Sequence, residues 1–290
     1  MMPILEMNGL GVSYPGFALQ DIDLRLEAGS ILGLIGPSGA GKTTLMRLIM
    51  GQVPPGRGSL AVMGLTHPGD LKEIRRRIGY VSEEPPFQPR KRVTEIASFA
   101  APCYPRWDAG RFNDLLDEFG IEPRLRVEHL SRGRKSLLTL ALALSHGADL
   151  LLLDEPAAGL DALHRRKVLR LMNEFVADGG RSAVITTHQT DGLAPLADRL
   201  AILHRGRLVL DGETEDLLAS WKWLRYREGA VSPDLEADLA CLENGAFGCR
   251  GLTGRYPEIS GRLEAARTEG DLKVEGATID DILISLTGGH

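Results

Sequence analysis

The fold of this chain is set by residues 31–50, ILGLIGPSGAGKTTLMRLIM. Ile31–Ile35 is apolar throughout, which is typical of a strand that is covered on both faces of a sheet. The residues that follow match the pattern G-x-x-x-x-G-K-[ST]: Gly36, Pro37, Ser38, Gly39, Ala40, Gly41, Lys42, Thr43 and then Thr44. Periodic apolar residues after Gly41 predict a helix that Gly51 ends. A strand, a glycine-rich loop and a helix in this order predict a cradle for nucleotide phosphates, because N–H groups of the loop and the helix N-terminus face the anion.

A second motif supplies two adjacent carboxylates. The apolar run Leu150–Leu153 ends in Asp154 and Glu155, so both acids stand at the end of a buried strand. We predict that Lys42 contacts the β- and γ-phosphates of ATP, and that Thr43 and Asp154 hold Mg²⁺. Glu155 is then expected to polarise the attacking water as the general base. The two motifs together predict ATP hydrolysis with Mg²⁺.

Strand-like and helix-like segments alternate along most of the chain. Leu150–Leu153 and Ala183–Thr187 are strand-like, with an amphipathic helical stretch between them. This alternation predicts an α/β fold around a parallel sheet. The segment Ala201–Leu210 carries the central residues His204-Arg205-Gly206-Arg207 and predicts a hairpin.

Composition changes divide the chain into two predicted domains. Residues 1–220 form the first, with a helical subdomain at about 85–145, and residues 221–290 form a small C-terminal accessory domain. Residues 228–249 contain five acids and no Lys or Arg, and Thr278 begins an amphipathic terminal helix. A dimer contact, a regulatory fold and simple packing are equally compatible with this last domain.

The overall composition excludes several classes of protein. The chain has 290 residues, with 34 Lys and Arg against 39 Asp and Glu, so its net charge is −5. These proportions exclude long disorder, collagen-like repeats and disulfide scaffolds, and the mild acidity gives no support for nucleic-acid binding. The three cysteines form no CxxC pair. No apolar run reaches the roughly 20 residues of a membrane span, and the N-terminus lacks signal-peptide features. We therefore expect a cytosolic protein that contacts a membrane only through a partner.

From residue 4 to about residue 216 the sequence resembles the ATP-binding subunits of ABC transporters. Leu130-Ser131-Arg132-Gly133-Arg134 stands where that family has its LSGGQ signature, and residues 158–161, Ala-Gly-Leu-Asp, match its D-loop. His188 matches the switch histidine, and Tyr14 matches the aromatic residue that stacks on adenine. The resemblance implies a nucleotide-binding core of ABC type, with an antiparallel β subdomain and a helical subdomain.

The same resemblance implies partners. Two ATP-binding subunits, identical or different, would form a head-to-tail dimer in which Ser131, Gly133 and Asp161 of one subunit complete the nucleotide site of the other. A separate membrane-spanning subunit would be driven by this dimer at the cytoplasmic face of the cell membrane. Catalytic roles fall to Glu155, His188 and Lys42.

Two departures from the family pattern concern charge. Glu83 stands where the family usually has a glutamine that meets Mg²⁺ and the attacking water, so a carboxylate is expected to coordinate the metal there. Arg132 and Arg134 replace a glycine and a glutamine of the signature. A branch of bacterial exporter ATPases is similar at these places and at residues 104–108, Tyr-Pro-Arg-Trp-Asp, so we expect an active ATPase and favour export.

A soluble ABC ATPase that acts on the ribosome, nucleic acid or chromosomes, or in regulation, is the alternative. Such proteins often carry two ATPase cassettes, long coiled coils or zinc modules. This chain shows none of these in its sequence, and its net charge is negative.

Overall fold

Two sheets occupy the N-terminal part of the computed structural model, which describes residues 2–188, 190, 192–245 and 248–288. The chain divides into two units, Met1–Asp211 and Gly212–His290. The strands that begin in the first unit are β1 (Pro3–Tyr14), β2 (Phe17–Glu27), β3 (Ile31–Ile35), β4 (Arg57–Val62), β5 (Leu65–Thr66), β6 (Ile78–Val81), β7 (Leu150–Asp154), β8 (Ser182–Thr187), β9 (Arg199–His204) and β10 (Arg207–Glu213). Its α-helices are α1 (Lys42–Ile49), α2 (Leu71–Arg77), α3 (Val93–Ala100), α4 (Ala109–Phe119), α5 (Arg132–Ser145) and α6 (Ala162–Val176).

A six-stranded sheet forms the centre of the first unit, in the order β10-β9-β3-β8-β7-β6. The neighbours from β9 to β6 run parallel. β3, β7 and β8 therefore end at the same edge, and the register places Asp154 beside Thr186 and Ile35 beside Thr187. Helices begin beyond this edge, which is the usual position of ligand sites in parallel sheets. The predicted α/β class is confirmed.

A second sheet in this unit is antiparallel, in the order β2-β1-β4-β5. Alternate residues of β2 are buried, as its period-two pattern predicts. One apolar cluster joins residues of this sheet to α1 and to strands of the parallel sheet. The predicted hairpin is also confirmed, because β9 and β10 are neighbours linked by Arg205 and Gly206, which both have positive φ.

Three helices, α3, α4 and α5, lie within the segment that we expected to form a helical subdomain. Asp108 caps α4 by accepting a hydrogen bond of 2.8 Å from the Arg111 backbone N–H. Ser131 caps α5 in the same way, with 3.2 Å from the Arg134 N–H to its hydroxyl. The N-terminus of α5 thus starts within the signature segment.

The second unit is an antiparallel sheet with short helices. Its elements are α7 (Thr214–Ser220), β11 (Lys222–Tyr226), α8 (Pro233–Glu236), β12 (Ala240–Gly245), β13 (Gly248–Thr253), α9 (Tyr256–Ile259), α10 (Glu264–Thr268), β14 (Leu272–Gly276) and α11 (Ile279–Thr287). The strand order is β12-β13-β11-β14. The guanidinium of Arg250 stacks on Trp223 at 3.6 Å, and Thr278 caps α11 together with Asp281.

The boundary between the units differs from the expected one. It falls between Asp211 and Gly212, whereas composition placed it after residue 220. Helix α7 packs against α9 and so belongs to the second unit. The composition of α7 does not differ visibly from that of the preceding residues, so the shift in composition appears only after this helix ends.

Candidate nucleotide site

A cavity of about 640 Å³ lies among the glycine-rich loop, the Asp154-Glu155 pair and His188. Twelve residues line it: Phe17, Ser38, Gly39, Ala40, Gly41, Lys42, Thr43, Thr44, Glu83, Asp154, Glu155 and His188. The structure therefore brings the two sequence motifs together, although they are far apart along the chain.

The loop from Gly36 to Lys42 folds around the ammonium group of its own lysine. Lys42 Nζ donates hydrogen bonds to the carbonyl oxygens of Gly36 at 2.7 Å and Pro37 at 3.3 Å. The lysine is buried, and burial lowers its pKa, while Glu155, Asp154 and Glu83 oppose that change. Gly36 is required because a Cβ there would lie 2.1 Å from the Leu203 carbonyl oxygen. The loop thus holds a cation at the base of the cavity.

Asp154 lies at the buried end of this cavity, and two threonines satisfy its carboxylate. Thr43 Oγ1 donates to Oδ2 at 2.9 Å, and Thr186 Oγ1 donates to Oδ1 at 2.6 Å. Asp154 is only 3% exposed. Thr186 was absent from the sequence predictions, and its role follows from the parallel register of β7 and β8. The carboxylate is consequently fixed in position beside the first turn of α1.

Glu155 follows Asp154 with a left-handed backbone, φ 52°, which is uncommon for a residue with a side chain. Its backbone N–H donates to the carbonyl and hydroxyl oxygens of Thr186, at 3.2 Å each. Its Oε1 lies 2.9 Å from His188 Nδ1, and the glutamate side chain is 11% exposed while that of the histidine is 59% exposed. The structure therefore brings the two predicted catalytic residues into direct contact.

The aromatic residue at the cavity is Phe17, and Tyr14 is not among the lining residues. Tyr14 and Phe17 are paired across the turn between β1 and β2, and Tyr14 is 41% exposed. The stacking role of Tyr14 remains a prediction. The sequence has an aromatic residue on each side of Pro15-Gly16, and only the structure shows which of the two lines the cavity.

Glu83 lines the cavity but is held by a neighbouring cation. Its Oε1 accepts a hydrogen bond of 2.8 Å from Arg132 Nη2, and both side chains are about half exposed. A metal ion would therefore compete with Arg132 for the Glu83 carboxylate. The pairing was missed from the sequence, although both residues had been singled out as departures.

Comparison with known proteins assigns the chain to a family. A family profile described as ABC transporter matches residues 19–158. An ABC transporter ATP-binding protein of Methanopyrus kandleri is 34% identical over 228 residues, which are 77% of this chain and 84% of that protein. The chain belongs to the ABC transporter family. It is an ATP-binding subunit and an ABC-type ATPase.

Other relatives of the ATPase serve both directions of transport. A protein of Rhodococcus jostii named as an Fe(3+) ions import ATP-binding protein is 32% identical, covering 74% of this chain and 64% of its own length. The Nod factor export ATP-binding protein I of Rhizobium johnstonii is 33% identical, covering 74% of this chain and 70% of its own. A solved ATP-binding subunit of an ABC transporter has a TM-score of 0.69 and 30% identity, covering 74% of this chain and 92% of that one. Family membership alone therefore leaves the direction of transport open.

The residues predicted to meet the nucleotide of a second subunit, Ser131, Gly133 and Asp161, are not among those that line the cavity. Ser131 is exposed at the N-cap of α5, and Gly133 is buried where a Cβ would lie 2.9 Å from the Gly159 carbonyl oxygen. Asp161 caps α6 and contacts His164 Nδ1 at 2.9 Å. The His164 backbone N–H, which donates to Asp161, is the main reason why the pKa of that carboxyl is lowered. The structure thus places Gly133 of the signature segment beside Gly159 of the D-loop segment.

The residues present fit a magnesium ion. Thr43 and Asp154 offer a hydroxyl and a carboxylate oxygen already in contact, and hard oxygen ligands are those that Mg²⁺ prefers. Within the described part of the chain, no cluster of three or more His, Cys, Asp or Glu side chains could hold a metal by itself. This is the pattern expected where substrate phosphates complete the coordination.

Among the described residues, no helix has both the length and the apolar character needed to cross a bilayer.

Proposed function

We propose that this ATPase binds ATP with Mg²⁺ in the Lys42 cavity and, as a dimer, uses hydrolysis to drive a membrane-spanning partner. The observation that supports this most directly is the convergence of Lys42, Asp154 and Glu155 on one cavity. A buried cation, a buried carboxylate and a partly accessible carboxylate are the groups that phosphoryl transfer to water requires.

Lys42 binds the phosphates in this proposal. An ammonium group has three N–H donors, and two of them are used by the Gly36 and Pro37 carbonyls. The third remains for an oxygen of the β- or γ-phosphate. N–H groups of the loop and of the first turn of α1 supply further donors, because helix N-termini leave such groups unpaired.

Glu155 is the general base. Its carboxylate accepts a proton from the water whose oxygen bonds to the γ-phosphorus, while the bond from that phosphorus to the ADP oxygen breaks and ADP keeps the electron pair. His188 orients this carboxylate through the contact at 2.9 Å. Thr43 and Asp154 hold Mg²⁺, which when bound offsets the negative charge of the phosphates.

A second ATP-binding subunit completes the site. Ser131, Gly133 and Asp161 are not among the residues that line the cavity of their own chain, which is compatible with a contact to a nucleotide bound by another subunit. We propose that, in a head-to-tail dimer, these residues contact the phosphates of the ATP bound by the second ATP-binding subunit. The partner is an identical or a related subunit.

A groove of about 520 Å³ is proposed to receive the membrane-spanning subunit. It lies between β6 and the helical subdomain, and Tyr80, Phe87, Tyr104 and Trp107 are among its lining residues. Phe99 of α3, next to the lining residue Ala100, is 83% exposed. A short helix of the membrane subunit suits such an aromatic groove, and the ATPase would then be held at the cytoplasmic face of the membrane.

Export is the proposed direction. It rests on the resemblance of Glu83, of Arg132 and Arg134, and of residues 104–108 to a branch of exporter ATPases. The relatives do not decide the direction, since they include both import and export proteins. Transport of substrate into inside-out vesicles on addition of ATP would support export, and ATP-driven loss from such vesicles would indicate import.

The test is purification of a tagged Glu155→Gln protein from detergent-solubilised membranes in the presence of ATP. We expect a multi-span membrane protein in stoichiometric amount. Lys42→Ala is the matched control. It removes the proposed phosphate contact, so its dimer should not close on ATP and less of the membrane-spanning protein should copurify with it. A soluble dimer alone, or one with ribosomes or nucleic acid, would overturn the transport proposal and leave ATP hydrolysis intact.

A further inference from the structure

Two charged departures from the ABC pattern are in contact with each other. Glu83 lies in the loop after β6, and Arg132 begins α5. Their side chains form an ion pair with 2.8 Å between Oε1 and Nη2, although they are 49 positions apart in the sequence. The carboxylate and the guanidinium would each bring an uncompensated charge to this place, and together they cancel.

The ion pair of Glu83 and Arg132 affects the net charge around the cavity. Among its lining residues, Glu83, Asp154 and Glu155 carry three negative charges against the single positive charge of Lys42. ATP is itself an anion, so each unpaired carboxylate at the cavity weakens its binding. Asp154 is compensated by two hydroxyl donors, and Glu155 lies against His188. Glu83 has Arg132.

We propose that Arg132 is a positioning residue for the nucleotide site of its own chain. By holding the Glu83 carboxylate against the N-terminus of α5 and offsetting its charge, it allows the cavity to accept the terminal phosphates. Because α5 belongs to the helical subdomain, the same ion pair links that subdomain to nucleotide binding. This inference rests on the proposed function, since it assumes that the cavity binds ATP.

A direct contact of Arg132 with the phosphates of a second subunit is the competing explanation. The two explanations differ in their dependence on Glu83. If Arg132 acts through Glu83, removing both charges should restore binding that removal of Arg132 alone has weakened. If Arg132 touches only the phosphates of a second subunit, Arg132→Gln should bind as tightly as the unmodified chain when the protein is monomeric. If Arg132 touches a phosphate of its own chain directly, the double variant should bind as weakly as the single variant.

The experiment is a fluorescence titration with a methylanthraniloyl derivative of ATP, with Mg²⁺, at low ionic strength and at a protein concentration where the chain is monomeric. We expect Arg132→Gln to weaken binding by about two- to fivefold, which is the size of one half-exposed charge interaction. Glu83→Gln/Arg132→Gln should bind as tightly as Glu83→Gln and more tightly than Arg132→Gln. Arg132→Lys should keep most of the affinity.

Arg134→Gln is the matched control. It removes one positive charge from the same helical turn and keeps the Arg134 backbone N–H that donates to Ser131 Oγ at 3.2 Å. It should leave binding unchanged, and circular dichroism melts should show that all variants fold.

The outcomes distinguish failure of nucleotide binding in this cavity from failure of the positioning role of Arg132. If the unmodified chain does not bind the probe, the proposed function fails. If it binds and Arg132→Gln binds equally well, or if the double variant stays weak, the positioning role of Arg132 is overturned and the proposed function stands.

Discussion

The buried end and the rim of the nucleotide cavity are built differently. At the buried end, Asp154 and Thr186 come from neighbouring strands, and the parallel register places them side by side. Thr43 joins them from the first turn of α1. At the rim, Glu83 and Arg132 come from a loop and a separate subdomain, and one exposed ion pair joins them. Backbone pairing therefore determines the buried end, whereas a single side-chain contact determines the rim.

This difference predicts large effects of mutation at the buried end and small ones at the rim. An exposed ion pair contributes about 0–1 kcal/mol, because water and salt screen it. Losing a partner of a buried carboxylate costs about 1–3 kcal/mol, because the carboxylate stays desolvated.

The largest effect is expected for Glu155→Gln. The amide keeps the size of the side chain but cannot accept a proton, so kcat for ATP hydrolysis should fall by about 10²–10⁴-fold. Nucleotide affinity should remain, as measured by titration with the fluorescent ATP analogue. Glu73→Gln on α2, which is not among the residues lining the cavity, is the control and should hydrolyse ATP normally. Near-normal turnover in Glu155→Gln would exclude the glutamate as the base.

A moderate effect is expected for Thr186→Val. Valine removes the hydrogen bond of 2.6 Å to Asp154 and leaves a buried carboxylate oxygen with one donor fewer. The free energy of unfolding should fall by about 1–3 kcal/mol in chemical denaturation. Thr186→Ser keeps the hydroxyl and should recover most of this stability. Equal stability of Thr186→Val and the unmodified protein would mean that the register-fixed contact is energetically unimportant.

The smallest effect concerns salt. The loss of nucleotide affinity in Arg132→Gln, compared with the unmodified chain, should shrink towards zero at about 1 M salt, where the Debye length is about 3 Å. The loss of turnover in Glu155→Gln should persist in the same buffers, because it reflects proton transfer and not screened charge. A salt-independent defect in Arg132→Gln would contradict the distinction between rim and buried end.

Much of the nucleotide site was predictable because its residues are adjacent in sequence. The loop from Gly36 to Thr44 and the Asp154-Glu155 pair carry their chemistry within short motifs, and the structure brings both to one cavity. Glu155 and His188, which the sequence predicts as catalytic residues separately, are in contact with each other. The metal ligands, the phosphate contacts and the dimer-forming residues remain predictions.

The boundary of the second unit and the aromatic residue at the cavity were less accessible to prediction. The predicted boundary depends on a change in amino-acid composition, and that change comes only after α7. The helix itself packs with the second unit. Tyr14 and Phe17 differ only in which side of a tight turn they occupy. Neither distinction leaves a periodic or spacing signal in the chain.

The sequence by itself determined the family, the α/β class and the two motifs that line the cavity, because glycine-rich turns, buried strands and terminal carboxylates act locally. Only the tertiary structure decided that Thr186 supports Asp154, that Phe17 lines the cavity and that Glu83 is paired with Arg132. These contacts join residues distant along the chain. Their geometry depends on strand register and on how α5 packs, and neither quantity is encoded in the spacing of the motifs.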